Sequence, residues 1–245
     1  MALLTLHGIV TRYANYKDND RILTILTREH GFLSASSRGC RRPKSPLLSA
    51  SELFVYGEFV LYGAGEKYAL NSCDLRETFY PLREDVERYA AGAYMLSLIN
   101  ACEIGERCDE LFSLLYHALS FTAYTDGNPL DFALCYALKL LSRLGFTPAI
   151  LYCARCGQDL RVPAAAGQTG FSPGAGGALC PDCRGAGEPV SRLSLEAVRR
   201  MLRLPDAEMG RVALPERVRR ELKPLVNGYA EYVLERKFKA LDQLI

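Results

Sequence analysis

Nine cysteines stand in a chain of 245 residues. Four of them form two CxxC pairs, Cys153-Ala154-Arg155-Cys156 and Cys180-Pro181-Asp182-Cys183. Two residues between the thiols of a pair let both sulfurs turn towards one point. Two such turns brought together offer four thiolates in a tetrahedron, the coordination that zinc accepts. Residues 157–179 separate the pairs, a slightly longer gap than the roughly 15–20 residues of common zinc ribbons, and a longer hairpin over Phe171–Leu179 absorbs the difference. Gly157 suits the tight turn after the first pair. One structural zinc ion per chain on Cys153, Cys156, Cys180 and Cys183 is the favoured reading, because four protein ligands leave no open position for water or substrate. Three readings compete with it. A thioredoxin-type redox site uses a single CxxC opening a helix in a βαβ context, and an iron–sulfur cluster takes cysteines at other spacings. The third is two unrelated pairs of buried thiols. The remaining cysteines, Cys40, Cys73, Cys102, Cys108 and Cys135, are scattered and read as small core residues, with Cys40 in an exposed loop.

A second chemistry lies in Arg38-Gly39-Cys40-Arg41-Arg42-Pro43-Lys44. Arg38, Arg41, Arg42 and Lys44 bring four cations into seven residues without an acid, as a loop that follows a phosphate backbone requires. Aromatic residues accompany it at Tyr13, Tyr16, Phe32, Phe54, Tyr56, Phe59, Tyr62 and Tyr68. Most belong to a core and a minority are available to stack on bases. The competing reading is a merely solvated basic loop. Catalysis has little support: His7, His30 and His117 are the only histidines, and no GxSxG, HExxH, Walker or dinucleotide motif accompanies them.

Composition sets the frame. Half of the residues are apolar and a quarter charged, an ordinary globular balance. Net charge is +2, but residues 81–150 are acidic while residues 199–240 carry 11 basic and 6 acidic side chains. Such asymmetry can place a basic face on a nearly neutral molecule. No run reaches the ~18–20 apolar residues of a membrane helix, and Met1–Gly8 does not read as a secretory leader. The expected compartment is therefore the cytoplasm, where nine thiols point to metal binding before disulfides.

The elements that position these residues change character once. Leu4–Ala14, Arg21–Thr27, Phe32–Ser37, Leu53–Tyr62 and Lys67–Asp74 read as five strands, enough for a small closed barrel. Gly8 is a candidate bulge or close-approach point, residues 38–51 are a long connection, and Gly63-Ala64-Gly65 is a turn. From Asp85 the apolar spacing is helical. Helices are expected over Asp85–Ala101, over Cys108–Tyr124, and from Asn128-Pro129 to Gly145, where an N-cap, an N1 proline and a terminal glycine mark the ends. Residues 150–190 carry the cysteines and lose periodicity. Helices resume near Ser194 and Pro215, the last one kinked at Pro224. The expected organisation is a barrel over residues 1–80 and a helical domain over 81–245 with a zinc-binding insertion at 150–190, the boundary lying near Thr78–Leu82.

This order of parts resembles the RecO family. The barrel carries the likeness in Gly8-Ile9-Val10, Asp20-Arg21-Ile22-Leu23-Thr24, Thr27 with His30-Gly31, and Arg38-Gly39 through Ser45. The helical part carries it in Leu140–Pro148 leading into Cys153-Ala154-Arg155-Cys156-Gly157, then in Phe171-Ser172-Pro173, Gly176-Gly177 and Leu179–Cys183. The turn Tyr16–Asp20 and the stretch Ala50–Leu53 depart from the family pattern in loop detail. The resemblance implies an N-terminal OB fold in a bacterial, nucleoid-associated DNA repair and recombination mediator that is not an enzyme. It implies binding to single- and double-stranded DNA, annealing of complementary strands, and loading of RecA onto DNA coated by single-strand binding protein. RecR and the acidic tail of single-strand binding protein are the implied partners. An apolar pocket flanked by cations suits that tail. Lys139 and Arg143, i,i+4 on the third helix beside Leu140 and Leu144, are its preferred site, and Arg236, Lys237 and Lys239 with Phe238 on the final helix are the second choice. A zinc-ribbon adaptor that binds only proteins and an RNA-binding barrel protein are the alternatives.

Overall fold

The computed structural model describes residues 2–64, 67–105, 108–161, 168–185 and 187–244; Gly65 of the expected turn lies outside them. Five strands come first: β1 (Ala2–Tyr16), β2 (Asp20–Thr27), β3 (Gly31–Ser37), β4 (Tyr56–Ala64) and β5 (Lys67–Glu77). They close in the order β1-β2-β3-β5-β4, with β4 returning to β1. All pairings are antiparallel except β3 with β5, where Ala35 faces Tyr68 and Ser36 faces Ala69. This is the OB-like order, and closure removes the free strand edges that a small open sheet would expose. The period-2 pattern explains the filling: Leu6, Val10, Leu23, Ile25, Phe59 and Leu61 point inward and meet at the centre.

The other side of the same strands is buried too. Ile9 of β1, Leu26 of β2 and Phe54, just ahead of β4, are fully covered and belong to the core of the helices. Burying three such side chains contributes about 1.5–3 kcal/mol each, so barrel and helices are joined by packing as well as by the chain. The β1 register shifts between Val10 and Arg12. The bulge thus falls at Thr11, and it is locked to the end of the second helix: Thr11 Oγ1 donates to Asn100 Oδ1 (2.9 Å) and Asn100 Nδ2 donates to the Thr11 carbonyl (3.0 Å). A bulge re-aims one residue at the edge of a pairing, and here it supplies the polar joint between the two parts. Strand β4 starts later than the apolar run suggests, because Phe54 takes φ +71° and turns its ring edge-on to Tyr89.

The helices are α1 (Pro81–Glu84), α2 (Val86–Ile99), α3 (Asp109–Tyr124), α4 (Pro129–Arg143), α5 (Arg192–Arg203) and α6 (Glu216–Val233). Asp85, Asn128 and Ser191 cap α2, α4 and α5 through their side chains, satisfying amide donors that the first turn leaves open. Helix α4 is the centre of the bundle: every residue from Leu130 to Leu141 is buried. Its one buried carboxylate, Asp131, receives Arg219 Nε of α6 at 2.7 Å and the Leu214 amide at 2.9 Å. Helix α6 continues through Pro224 and ends at Val233. Residues Arg236–Lys239 therefore lie beyond the final helix, and Phe238 is a core residue packed edge-on against Tyr94.

Candidate metal centre and nucleic-acid interface

Between α4 and α5 the chain makes a small three-stranded sheet from β6 (Gly170–Ser172), β7 (Gly177–Leu179) and β8 (Glu188–Pro189), in the order β7-β6-β8. The β6–β7 hairpin is the one expected between the cysteine pairs. Ser172 caps the short helical turn Pro173–Ala175 within it. Gly177 allows the chain leaving α4 to cross at backbone distance, since a Cβ there would collide with the Ala149 main chain. That crossing is sealed by bonds from the Ala149 amide to the Gly176 carbonyl (3.0 Å) and from the Ala178 amide to the Ala149 carbonyl (2.7 Å). It places the first CxxC against the second. The hairpin is also anchored on the bundle, with Phe171 edge-on to Tyr229 at 5.6 Å.

All four sulfurs converge. The Sγ atoms of Cys153, Cys156, Cys180 and Cys183 lie within 4.8 Å of one another, and Cys156 and Cys180 are 3.7 Å apart. Tetrahedral thiolates at ~2.3 Å from a zinc ion would stand about 3.8 Å apart. The turn after the first pair closes through the Gly157 amide on the Cys153 carbonyl (2.9 Å), with Gly157 at φ +77°. The Ala154 amide ties that turn to the Ala178 carbonyl (2.8 Å).

The electrostatics favour a cation at the centre. Burial opposes the Cys153 thiolate, but amides of Cys180, Cys156 and Arg155 donate to it and hold its pKa down to about 6. The contacts with Cys156 and Cys180 push Cys183 up to about 12. The Gln158 amide, the largest single influence, favours a Cys156 thiolate, yet the contacts with Cys153 and Cys180 together with desolvation leave Cys156 raised. Four adjacent thiols cannot all ionise against one another, and a dication at their centre removes that penalty. The arrangement is thus a site for a metal ion, built from soft sulfur donors only.

The single cysteines behave differently. Burial pushes Cys73, Cys102 and Cys135 up to about 12. Cys40 is buried rather than exposed, at 1 % accessibility, and roots the basic loop in the barrel.

That loop leaves β3 and returns to β4 across one end of the barrel. Its backbone is held by groups other than its cations. The Gly39 amide donates to Asp20 Oδ1 (2.7 Å), the Arg41 amide to the Asn19 carbonyl (3.0 Å), and Ser37 and Ser51 hydroxyls meet at 2.8 Å. Arg21, stacked on Tyr13 at 3.9 Å, clamps the far end through the Ser51 carbonyl (2.7 Å) and Glu52 (2.8 Å). The side chains of Arg38, Arg41, Arg42 and Lys44 are all exposed. Among the described residues none of the four pairs with a carboxylate. Tyr16, 51 % exposed with the Lys17 ammonium 5.3 Å from its ring, stands on the adjoining β1–β2 turn. Of the other barrel aromatics, Tyr62 is exposed, Phe54 and Phe59 are core, and Tyr56 packs on Phe112 and Tyr116.

Lys139 and Arg143 do share one face of α4, but that face is turned inward. Lys139 is 6 % exposed; it donates to the Leu204 carbonyl and lies 3.2 Å from Asp206. Arg143 pairs with the same Asp206 at 2.5 Å. Their i,i+4 spacing serves to clamp the short turn Asp206–Arg211 onto α4. An apolar cleft of about 280 Å³ opens instead beside that turn, floored by Met201, Leu214 and Val218 and rimmed by Leu193, Glu196, Arg200 and Arg211. Sequence reasoning missed it because its walls come from α5 and from the connection to α6.

Comparison with known proteins agrees with this architecture. The family model for the N-terminal part of recombination protein O matches residues 1–79, and that for its C-terminal part matches residues 83–242. The DNA repair protein RecO of Symbiobacterium thermophilum is 35 % identical, covering 100 % of this chain and 97 % of its own. That of Acetivibrio thermocellus is 30 % identical over 99 % and 96 %, and that of Moorella thermoacetica 30 % over 97 % and 89 %. The barrel order, the four-cysteine element between helices and the full-length matches together show that the chain belongs to the RecO family of DNA repair proteins.

Proposed function

We propose that this protein is a non-catalytic recombination mediator that holds DNA on its barrel, anneals complementary strands and helps load RecA onto DNA coated by single-strand binding protein. The observation that carries the reading is the basic loop: four exposed cations on a backbone held by its own anchors, without a carboxylate partner among the described residues, on an OB-like barrel. Such a loop attracts phosphates of any sequence, and Tyr16 beside it offers a stacking face. Arg38, Arg41, Arg42 and Lys44 are the proposed DNA contacts. The metal in this reading is zinc, held by Cys153, Cys156, Cys180 and Cys183; it fastens the 150–190 segment and does no chemistry, because the thiolates fill all four positions.

The partners proposed are RecR and the tail of single-strand binding protein. Lys139 and Arg143 are engaged with Asp206, so the cleft edged by Arg200 and Arg211 suits an acidic tail with an apolar end better. The test is annealing of complementary strands coated with single-strand binding protein. Acceleration by the native protein, lost on neutralising the basic loop, supports the reading. Preference for RNA of equal length, or no nucleic-acid binding with intact protein binding, would replace it by the RNA-binding or adaptor alternative.

A further inference from the structure

The metal-binding element and α5 carry a second cationic surface, whose arginines none of the contacts above uses. Three guanidinium groups, of Arg161, Arg192 and Arg199, line an open cleft of about 350 Å³ between the cysteine element and α5. Arg161 belongs to the chain after the first CxxC, while Arg192 and Arg199 project from α5. Each is held in position with donors to spare. Arg161 turns Nε and Nη2 to Asp159 (2.9 and 2.6 Å), and Nη2 also reaches the Tyr152 hydroxyl (3.0 Å). Arg199 turns the same two nitrogens to Glu196. Arg192 gives Nη2 to the Arg161 carbonyl (2.7 Å). Among the described residues, Nη1 of all three makes no hydrogen bond. The two carboxylates and the Arg161 carbonyl thus orient the guanidinium planes and leave an N–H edge of each for another acceptor.

The charge does not cancel. Arg203, on the same stripe as Arg192 and Arg199, lies near enough to Glu196 to help hold its carboxyl below the usual range, behind the hydrogen bond from Arg199. The cleft itself is lined by three guanidinium groups and one carboxylate, Glu196; adding Arg203 beside Glu196 and Asp159 beside Arg161 leaves four cations to two anions. Arg192 to Arg203 spans 11 residues of helix, about 16 Å, long enough to meet more than one phosphate of an extended strand. Beside the arginines stands an exposed surface of the right kind for bases: Tyr152, 47 % exposed, its ring under Arg161. Rigid cations in a row with an aromatic face beside them are what single-stranded nucleic acid uses, whereas an acidic peptide would need a closed apolar pocket for its anchor residue.

We infer that this arginine face holds a second strand of single-stranded DNA while the barrel loop holds the first. The inference rests on the DNA reading above and extends it. Helix α5 packs on α4 and α6, while the barrel packs onto α2 through Phe54, so the two surfaces belong to different parts of the molecule. Two strands on two surfaces of one chain are brought to a high local concentration, which is what pairing of dilute complements lacks.

The experiment counts short single-stranded oligonucleotides per chain, and then follows annealing of their complements, for the native protein and for R192Q/R199Q/R203Q. Metal content reports that the variant is folded. A 5-iodouracil oligonucleotide gives a second readout through photocrosslinking to Tyr152. The native chain is expected to bind two oligonucleotides, to crosslink at Tyr152 and to anneal. The variant is expected to bind one and to lose the crosslink, and the second event of the native chain, absent in the variant, should carry a log–log salt slope of at least about 2, three contacts at ~0.7 each. A native stoichiometry of one with rapid annealing, or a variant that still binds two, overturns the inference and leaves the DNA reading standing. A native chain that binds no oligonucleotide overturns both. Occupation of the face by an acidic peptide in place of DNA also overturns it.

Discussion

Replacing Arg38, Arg41, Arg42 and Lys44 together by alanine is a clean perturbation of the barrel, because the loop's shape does not depend on their charges. Its anchors are the Gly39 and Arg41 amides, the Ser37–Ser51 pair, the Arg21 clamp and the buried Cys40. Among the described residues one of the four side chains makes a structural bond, Arg41 to the Asp18 carbonyl at 3.1 Å on the surface. Stability should therefore move little, within about 0.5 kcal/mol per exposed substitution. Binding should move a great deal. Each phosphate contact contributes about 0.7 to the salt slope on single strands and about 0.9 on duplex. Four contacts then give a slope of about 2.8 on single strands, so a rise from about 50 to about 200 mM salt weakens their share of binding roughly fiftyfold. Fluorescence anisotropy with a labelled oligonucleotide across that range reads both quantities. The variant should bind more weakly at low salt and show a slope shallower by up to about 2.8. A folded variant with native slope and affinity would refute the reasoning and move the DNA surface off this loop.

Elemental analysis of protein prepared without chelator should find about one zinc per chain, and Cys180→Ala with Cys183→Ala should release it and melt the 150–190 segment before the rest; finding no metal would remove the zinc reading. Cys156 and Cys183 are raised above the ordinary thiol value, so loading displaces at least two protons at neutral pH. Metal affinity should accordingly fall at least about a hundredfold per unit as pH drops, readable by competition with a chromophoric chelator. Asp131→Ala should cost about 1–3 kcal/mol in denaturant unfolding, since it leaves the buried Leu214 amide without its acceptor and removes the carboxylate partner of the half-buried Arg219; a loss below about 0.5 kcal/mol would contradict that account. An acidic tail peptide should lose affinity for Arg200→Ala with Arg211→Ala, and DNA binding at the barrel should be unchanged in the same protein.

The sequence alone determined the features that depend on local chemistry. Alternation in Arg21–Thr27 and the turn residues around it mark strands, Asn128-Pro129 and Gly145 mark the ends of a helix, and two CxxC pairs mark a metal site, because each signal is complete within a few residues. What the tertiary structure decided depends on which groups meet across the chain. Lys139 and Arg143 have the spacing of an exposed cationic stripe, yet Asp206, more than sixty residues away, draws both inward. Cys40 sits in a polar stretch and is nonetheless buried. The bulge belongs to Thr11 because Asn100 waits at the end of α2 to receive it. Both clefts have walls from segments that are remote or irregular in sequence, so no periodicity announces them. The reason is common to all four cases. Burial and pairing free energies belong to contacts between distant segments, and a residue's type limits which contacts suit it while the fold selects the one it makes.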